Sequence, residues 1–330
     1  RIPVMAANSF PVCHFREFCV VCIGLIVSGM ISLSASCACA SGSATEHIPA
    51  AARVVLMKAG KLIELKDYEG AVSVIRSFQQ KQPEDGETDR LGCGHAEVHY
   101  TLGVCYLLEN NTVMAAAALD RALAKDPHHV SALINRAKAA YELSDYRKAA
   151  ECFQATYELE KNKDPEHLYH AAVALLLAKD STGSIVIFDR LLAEYPAQFQ
   201  LPWRENLVHA LLDAGLEKKA LPHIRRLAAE YTGEKQKQWQ EVLLNEYMHL
   251  DMYSEALALA TKLSEQDPLE ALWWRALVHI HLFRNKYKPA LTSLVILSYL
   301  EPLKDQEQRL LADLYLQLGV PQKATPVYAE

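Results

Sequence analysis

Cysteine and histidine are the residues of this chain with the clearest capacity for metal or redox chemistry. The sequence holds 8 cysteines and 13 histidines, but five of the cysteines lie in an apolar amino-terminal segment. Cys93 lies beside a histidine in Gly92-Cys93-Gly94-His95, yet no second Cys/His pair follows at metal-ligand spacing. Cys105 and Cys152 occupy helical positions that are usually buried. We therefore predict no metal site and no bound cofactor.

Catalytic motifs with a recognisable spacing are missing from the sequence. It contains no H-E-x-x-H zinc motif, no glycine-rich phosphate loop and no G-x-S-x-G nucleophile elbow. Catalysis needs acid, base or nucleophile side chains that converge, and no spacing indicates them here. The net charge of −6, without a basic stripe, argues against nucleic acid as a partner. We predict that the protein is not an enzyme.

The elements that would position a functional residue are paired helices. Ala96–Pro127 reads as a helix, a short turn and a second helix that stops at Pro127, because proline cannot continue a helix. The small residues Gly103 and Ala115 would let the two helices cross closely, and Leu119 would fill the space around the crossing.

A small residue near the start of the second helix recurs along the chain. The successive intervals are 44, 34, 35, 36, 36, 34 and 34 residues. Such regular spacing predicts a repeat array, in which each unit contacts only its neighbours, and leaves little room for a separate catalytic domain. The eight positions are Ala71, Ala115, Ala149, Ser184, Ala220, Ala256, Ala290 and Ala324.

The spacing and the residue types resemble the tetratricopeptide repeat family. With Gly103 at position 8 of a repeat of about 34 residues, Ala115 falls at position 20, Leu119 at 24 and Pro127 at 32. His99 departs from the pattern, since it occupies position 4, where the family has a large aromatic residue. The resemblance implies an all-α fold, a solenoid wound as a right-handed superhelix of about seven to eight helical hairpins. The last repeat is expected to be incomplete.

An apolar run near the amino terminus, Phe18–Leu33, has about the length of a signal-peptide core and is marginal for a membrane span. Ala38-Cys39-Ala40 resembles a signal-peptidase site, and Ser34-Ala35-Ser36-Cys37 resembles a lipobox. Cleavage, lipidation of Cys37 and retention as an anchor stay open. We expect an exported protein, periplasmic or anchored facing the periplasm, with residues 1–44 as signal peptide or anchor and linker, and residues 45–330 as the array.

The groove of a tetratricopeptide array is lined by positions 2, 5, 9 and 12 of the first helix of each unit. The resemblance therefore implies a protein-binding wall of mixed charge. Its candidate residues are Glu97, Tyr100, Lys138, Tyr141, Tyr169, Glu205, His209, Gln238, Glu241, Asn245, Met248, Arg275 and His279. The four tryptophans are expected mostly in the core between repeats, with Trp273 the most exposed.

These expectations favour a non-catalytic scaffold of the cell envelope that holds a protein or peptide segment. The stretch Glu234–Asp251, followed by Tyr253-Ser254-Glu255-Ala256, resembles periplasmic tetratricopeptide proteins associated with bacterial TonB systems. That resemblance implies an accessory role in such a transport system. An outer-membrane assembly or secretion-system lipoprotein, and the substrate-holding part of an enzyme, are the alternatives.

Overall fold

The computed structural model describes residues 48–81 and 89–324, which are helical apart from short connections. No strand occurs within these two ranges, so the all-α helical repeat fold is confirmed. The described residues fall into two compact units, the first ending at Ala214 and the second beginning at Gly215.

The amino-terminal run Phe18–Leu33 lies outside the described residues, as do the cleavage and lipidation sites expected near it. Over residues 48–81 and 89–324, every helix is too short or too polar to cross a membrane. The division into residues 1–44 and 45–330 stays a prediction.

Within the first unit, each helix packs against the helix that follows it in that unit. The helices are α1 (Ala50–Glu64), α2 (Tyr68–Gln79), α3 (Ala96–Leu108), α4 (Thr112–Lys125), α5 (Val130–Glu142), α6 (Tyr146–Leu159), α7 (Pro165–Leu177), α8 (Ser181–Glu194) and α9 (Leu201–Asp213). Contacts also join α1 to α3, α3 to α5 and α7 to α9.

The second unit has the same arrangement of consecutive helices in contact. Its helices are α10 (Glu217–Glu230), α11 (Gly233–His249), α12 (Tyr253–Gln266), α13 (Ala271–Phe283), α14 (Tyr287–Leu300) and α15 (Asp305–Gln317), followed by a 3-10 turn at Pro321–Lys323.

The small residues at the repeat interval lie in the core. All eight, from Ala71 to Ala324, are at most 1% exposed. At Gly103 the reason is visible, because an added Cβ would lie 2.7 Å from Leu119 Cγ. The close crossing of the helices expected from the sequence is therefore present. His99, the departure from the family pattern, is buried beside it and shares a 3.0 Å hydrogen bond between its Nδ1 and Gln79 Nε2.

The turns between paired helices repeat in the same register. A residue with positive φ stands five positions before each small core residue: Lys66, Asn110, Ser144, Lys179, Gly215, Asp251, Asn285 and Gly319. After Asn110, the Asn111 N–H donates to the Tyr106 carbonyl at 2.8 Å, a bond typical of a Schellman helix end. The first helix of each pair thus ends by one local geometry.

Capping of the second helix of a pair differs between the two units. In the first unit the residue after the positive-φ position is Asp67, Asn111, Asp145 or Asp180, and each side chain accepts a backbone N–H bond. In the second unit Leu216, Met252 and Lys286 make no such bond. At α14 the third helical residue is Pro289, which has no N–H to donate.

The tryptophans are mostly buried, but the expectation for Trp273 is wrong. Trp203 and Trp239 are each 4% exposed and Trp273 is 3% exposed, whereas Trp274 is half-buried. Trp273 shares the core face of α13 with Ala276, while Trp274 lies about 100° further round the helix. Trp274 Nε1 donates to the Pro268 carbonyl at 2.8 Å.

The close helix crossing predicts opposite effects for the same added methyl group at two glycines. Gly103→Ala should destabilise the protein by about 1–3 kcal/mol, because Leu119 is fully buried and has little room to move. Gly60→Ala in α1 meets no atom within 4 Å and should stabilise by roughly 1 kcal/mol through helix propensity. Urea unfolding measures both changes in stability, and hydrogen exchange on α3 and α4 localises the effect of Gly103→Ala. A neutral Gly103→Ala would contradict the crossing geometry.

The caps of the first unit predict a second pair of effects. Asp180 Oδ1 accepts the Gly183 N–H at 2.9 Å, a bond that lowers the pKa of Asp180. Asp180→Ala should lower stability by about 1 kcal/mol, while Asp180→Asn keeps an acceptor and should change it by much less. Hydrogen exchange at the start of α8 reports the difference. Equal losses of stability in both variants would show that the Asp180 cap is not the cause.

Candidate protein-binding surface

Every candidate wall residue lies on a first helix of a pair. The first unit holds Glu97 and Tyr100 on α3, Lys138 and Tyr141 on α5, Tyr169 on α7, and Glu205 and His209 on α9; the second unit holds Gln238, Glu241, Asn245 and Met248 on α11, and Arg275 and His279 on α13. The contacts of α3 with α5 and of α7 with α9 bring the candidates of the first unit together in two pairs of helices.

Glu97 and Tyr100 are held by a histidine from the next repeat. The ring centroids of Tyr100 and His129 lie 4.6 Å apart, and His129 Nε2 lies 3.4 Å from Glu97 Oε1. His129 Nδ1 accepts the Ala132 N–H at 3.2 Å, so the neutral ring carries its proton on Nε2, towards the carboxylate. The polar contact with His129 lowers the pKa of Glu97. Both side chains are thereby fixed and still half exposed.

Lys138 and Tyr141 are three residues apart on α5, so they lie on one face of the helix. Lys138 is exposed and Tyr141 is half-buried. The Tyr141 ring makes an edge contact with Tyr146, with centroids 5.3 Å apart. Burial raises the pKa of Tyr141 to about 12, so its hydroxyl stays protonated and can donate as well as accept.

Tyr169 and His209 are buried, at 4% and 7% exposure, and offer little surface to a ligand. The Tyr169 ring stacks on Trp203 at 5.1 Å, and its hydroxyl accepts from Asn206 Nδ2 at 3.0 Å. These contacts come from α9, one repeat further along the chain. Tyr169 therefore supports the wall from behind. The sequence pattern gave no sign of the Trp203 and Asn206 contacts.

On α11 the candidates form an accessible row. Gln238 is exposed, while Glu241, Asn245 and Met248 are half-buried. Burial, and then the neighbouring Glu270 carboxylate, raises the pKa of Glu241. The row thus offers amide, carboxyl and thioether groups along one helix.

Arg275 on α13 is already engaged within the protein. Its Nε donates to Glu307 Oε1 at 2.6 Å and its Nη2 to Glu301, so it joins α13 to the end of α14 and to α15. His279, one turn further on, has its pKa lowered to about 4 by burial. Arg275 therefore has a structural role, because its guanidinium is paired with two glutamates. Only the N–H groups that do not bond to those carboxylates could contact a ligand. The sequence pattern did not indicate that Glu307 and Glu301 pair with Arg275.

The cysteines of the described residues are structural. Cys93, Cys105 and Cys152 are free thiols, each buried; for Cys105 and Cys152 this confirms the expectation. Burial raises the pKa of Cys105 to about 12, which keeps the thiol protonated. Within residues 48–81 and 89–324 no group of three His, Cys, Asp or Glu side chains could hold a metal ion. The Cys93 loop is instead closed by Asp89, which accepts the N–H groups of Gly92, Cys93 and Gly94.

Residues 134–199 match the tetratricopeptide repeat family. The match runs from within α5 to just past α8, and the resemblance read from the sequence is confirmed by it. The fold of this family suggests a protein-interaction scaffold. A comparison with curated protein sequences gave no match.

Several solved structures resemble the chain. A tetratricopeptide repeat protein from Parabacteroides merdae is 16% identical with a TM-score of 0.42, covering 81% of this chain and 99% of that one. A MamA structure from AMB-1 is 18% identical, with a TM-score of 0.41 over 55% of this chain and 94% of that one. Nearly identical repeats of a putative kinesin light chain from Podosopora anserina are 13% identical, with a TM-score of 0.37 over 54% and 92%.

Beside the candidate surface, His170 on α7 predicts a pH dependence of stability. Its ring lies 5.3 Å from that of Phe153, and burial, then the neighbouring His167, lowers its pKa from 6.5 to about 4. Because the folded state disfavours the proton, this contribution to stability is complete above pH 6.5 and is lost as the pH falls towards 4. Going from pH 7 to pH 5 should cost about 1–2 kcal/mol.

Urea midpoints at the two pH values measure this effect, and His170→Gln is the control because it cannot titrate. The variant should lose less stability than the wild type over the same interval. An identical slope in both proteins would show that His170 is not responsible.

Proposed function

We propose that this protein is a non-catalytic scaffold of the cell envelope whose first helices hold a protein or peptide segment. The observation that carries the proposal is the fixed and accessible set formed by Glu97, Tyr100, Lys138 and Tyr141 on α3 and α5. Two rings and two opposite charges on adjacent helices suit a peptide, which presents apolar, hydrogen-bonding and charged groups together.

Preorganisation supports this assignment. His129 holds Glu97 and Tyr100 in place before a ligand arrives, and Tyr146 does the same for Tyr141. Binding then costs this protein less conformational entropy, because these side chains are already ordered before a partner arrives. Tyrosine also contributes large contact area with few rotatable bonds.

The envelope context and an accessory role beside a TonB-type system are part of the proposal. The apolar run Phe18–Leu33 supports the envelope context. The resemblance of Glu234–Asp251 to TonB-associated periplasmic repeat proteins supports the accessory role. The lipobox-like Ser34-Ala35-Ser36-Cys37 favours the outer-membrane assembly or secretion-system lipoprotein as the second candidate. Attachment to the membrane through the amino-terminal segment is compatible with both.

Site-specific photo-crosslinking in intact cells tests the surface. A cross-linking residue at Lys138 should give adducts with an envelope protein, whereas one at Arg121, exposed on the second helix α4, should not. The adducts are identified by mass spectrometry. Equal adduct yields at both positions, or none at either, would count against a binding wall on the first helices.

A charge reversal makes the same test quantitative. With the cross-linker at exposed Ser131 on α5, Lys138→Glu should lower adduct yield about tenfold, equivalent to roughly 1.4 kcal/mol of binding. Arg121→Glu, a matched reversal on α4, should leave the yield unchanged. Both should alter stability by about 0.5 kcal/mol or less, since both side chains are exposed.

A further inference from the structure

Helix α1 has an outward face that combines apolar and basic side chains. Val54 is 65% exposed, Met57 66% and Leu65, at the end of the helix, 77%. With Lys58 and Lys61 they lie within an arc of about 100° on the helix. The opposite face packs into the core through residues such as Ala52 and Ala59, both fully buried.

This arrangement is unlike the other exposed apolar residues of the first unit. Val113 on α4 and Val186 on α8 are 65% and 69% exposed, but each stands alone on its helix. Single exposed apolar residues are common on protein surfaces, whereas several on one face mark an interaction site. On α1, three apolar side chains share one face with two interleaved lysines.

The charge on this face is mainly positive. Lys58 and Lys61 are exposed within the arc, while exposed Glu64 lies about 20° outside it, nearer than Arg53 at about 40° and Lys66 at about 80°. The whole chain carries a net charge of −6, whereas α1, with three cations (Arg53, Lys58, Lys61) against one anion (Glu64), carries +2. Charge complementarity therefore favours an anionic partner for this face.

We propose that this face of α1 binds the surface of an anionic lipid bilayer. Val54, Met57 and Leu65 enter the boundary between headgroups and acyl chains, and the lysines contact lipid phosphates. An acidic partner helix fits less well. A helix-in-groove contact needs apolar residues at i, i+3, i+4 and i+7, and from Val54 the last two positions are Lys58 and Lys61.

Interleaved lysines suit a bilayer, because their aliphatic stems lie along apolar surface while their ammonium groups reach the headgroups. In the sequence, α1 begins 17 residues after Leu33, the end of the apolar run. An anchor or lipid retained in that segment would keep α1 near the membrane. The proposal does not depend on such an anchor, nor on the peptide-binding wall of α3 and α5.

Amine labelling with vesicles tests the proposal on the full chain. The probes are vesicles of phosphatidylcholine with phosphatidylglycerol, and vesicles of phosphatidylcholine alone. Lys58 and Lys61 should be acetylated at least fivefold more slowly with the anionic vesicles, and Lys218 and Lys219 on α10 should be unchanged. Protection should disappear at high salt. Unchanged labelling of Lys58 and Lys61 with anionic vesicles would overturn the proposal, even if the chain binds by its amino-terminal run.

Matched variants separate the contributions of charge and apolar contact. Lys58→Ala with Lys61→Ala should lower partition into anionic vesicles more than tenfold, whereas Lys218→Ala with Lys219→Ala should not. Val54→Ser with Met57→Ser should weaken binding similarly, against Val113→Ser with Val186→Ser as control. Equal losses in test and control pairs, or binding to an acidic helical peptide in place of vesicles, would refute a lipid-binding face.

Discussion

The close approach of paired helices is the constraint on which the rest of the structure depends. At Gly103 an added Cβ would lie 2.7 Å from Leu119 Cγ, so even a methyl group there would force Leu119 to move. The small residues on the second helices, at position 20 of each repeat from Ala71 to Ala324, are all in the core. Because the crossing is so tight, the length of each helix and the position of each turn must repeat nearly unchanged, or the next pair would not meet the last.

The turns maintain that register through backbone geometry more than through residue type. The residue two positions before the second helix has positive φ in all eight described repeats, and glycine occupies this position in two of them, at Gly215 and Gly319. Other residues accept this conformation at a cost of about 1 kcal/mol or more, which the helix-ending hydrogen bonds offset. Side-chain caps such as Asp180 then reinforce the turns of the first unit, while Met252 in the second unit makes no such bond.

Contacts between successive repeats decide which side chains can serve a partner. On α6, the centroid of the Tyr157 ring lies 4.8 Å from Lys163 Nζ and 5.0 Å from Arg190 Cζ, and the Tyr157 hydroxyl donates to Glu194. Tyr157, Arg190 and Glu194 thus connect α6 to α8 and are less available to a binding partner. Lys138, by contrast, stays exposed on α5. The surface available for binding is therefore what remains after neighbouring repeats have been joined.

The sequence by itself determined the all-α repeat fold, the pairing of helices and the small core residues, because these follow from local spacing within one repeat. It could not determine which wall residues stay accessible. The Tyr169 ring stacks on Trp203, and its hydroxyl accepts a hydrogen bond from Asn206, 37 positions along the chain. Arg275 is paired with Glu307, 32 positions along the chain. Only the tertiary structure decided those partners, since they depend on how one repeat packs on the next, and the pattern inside a repeat holds no information about that packing.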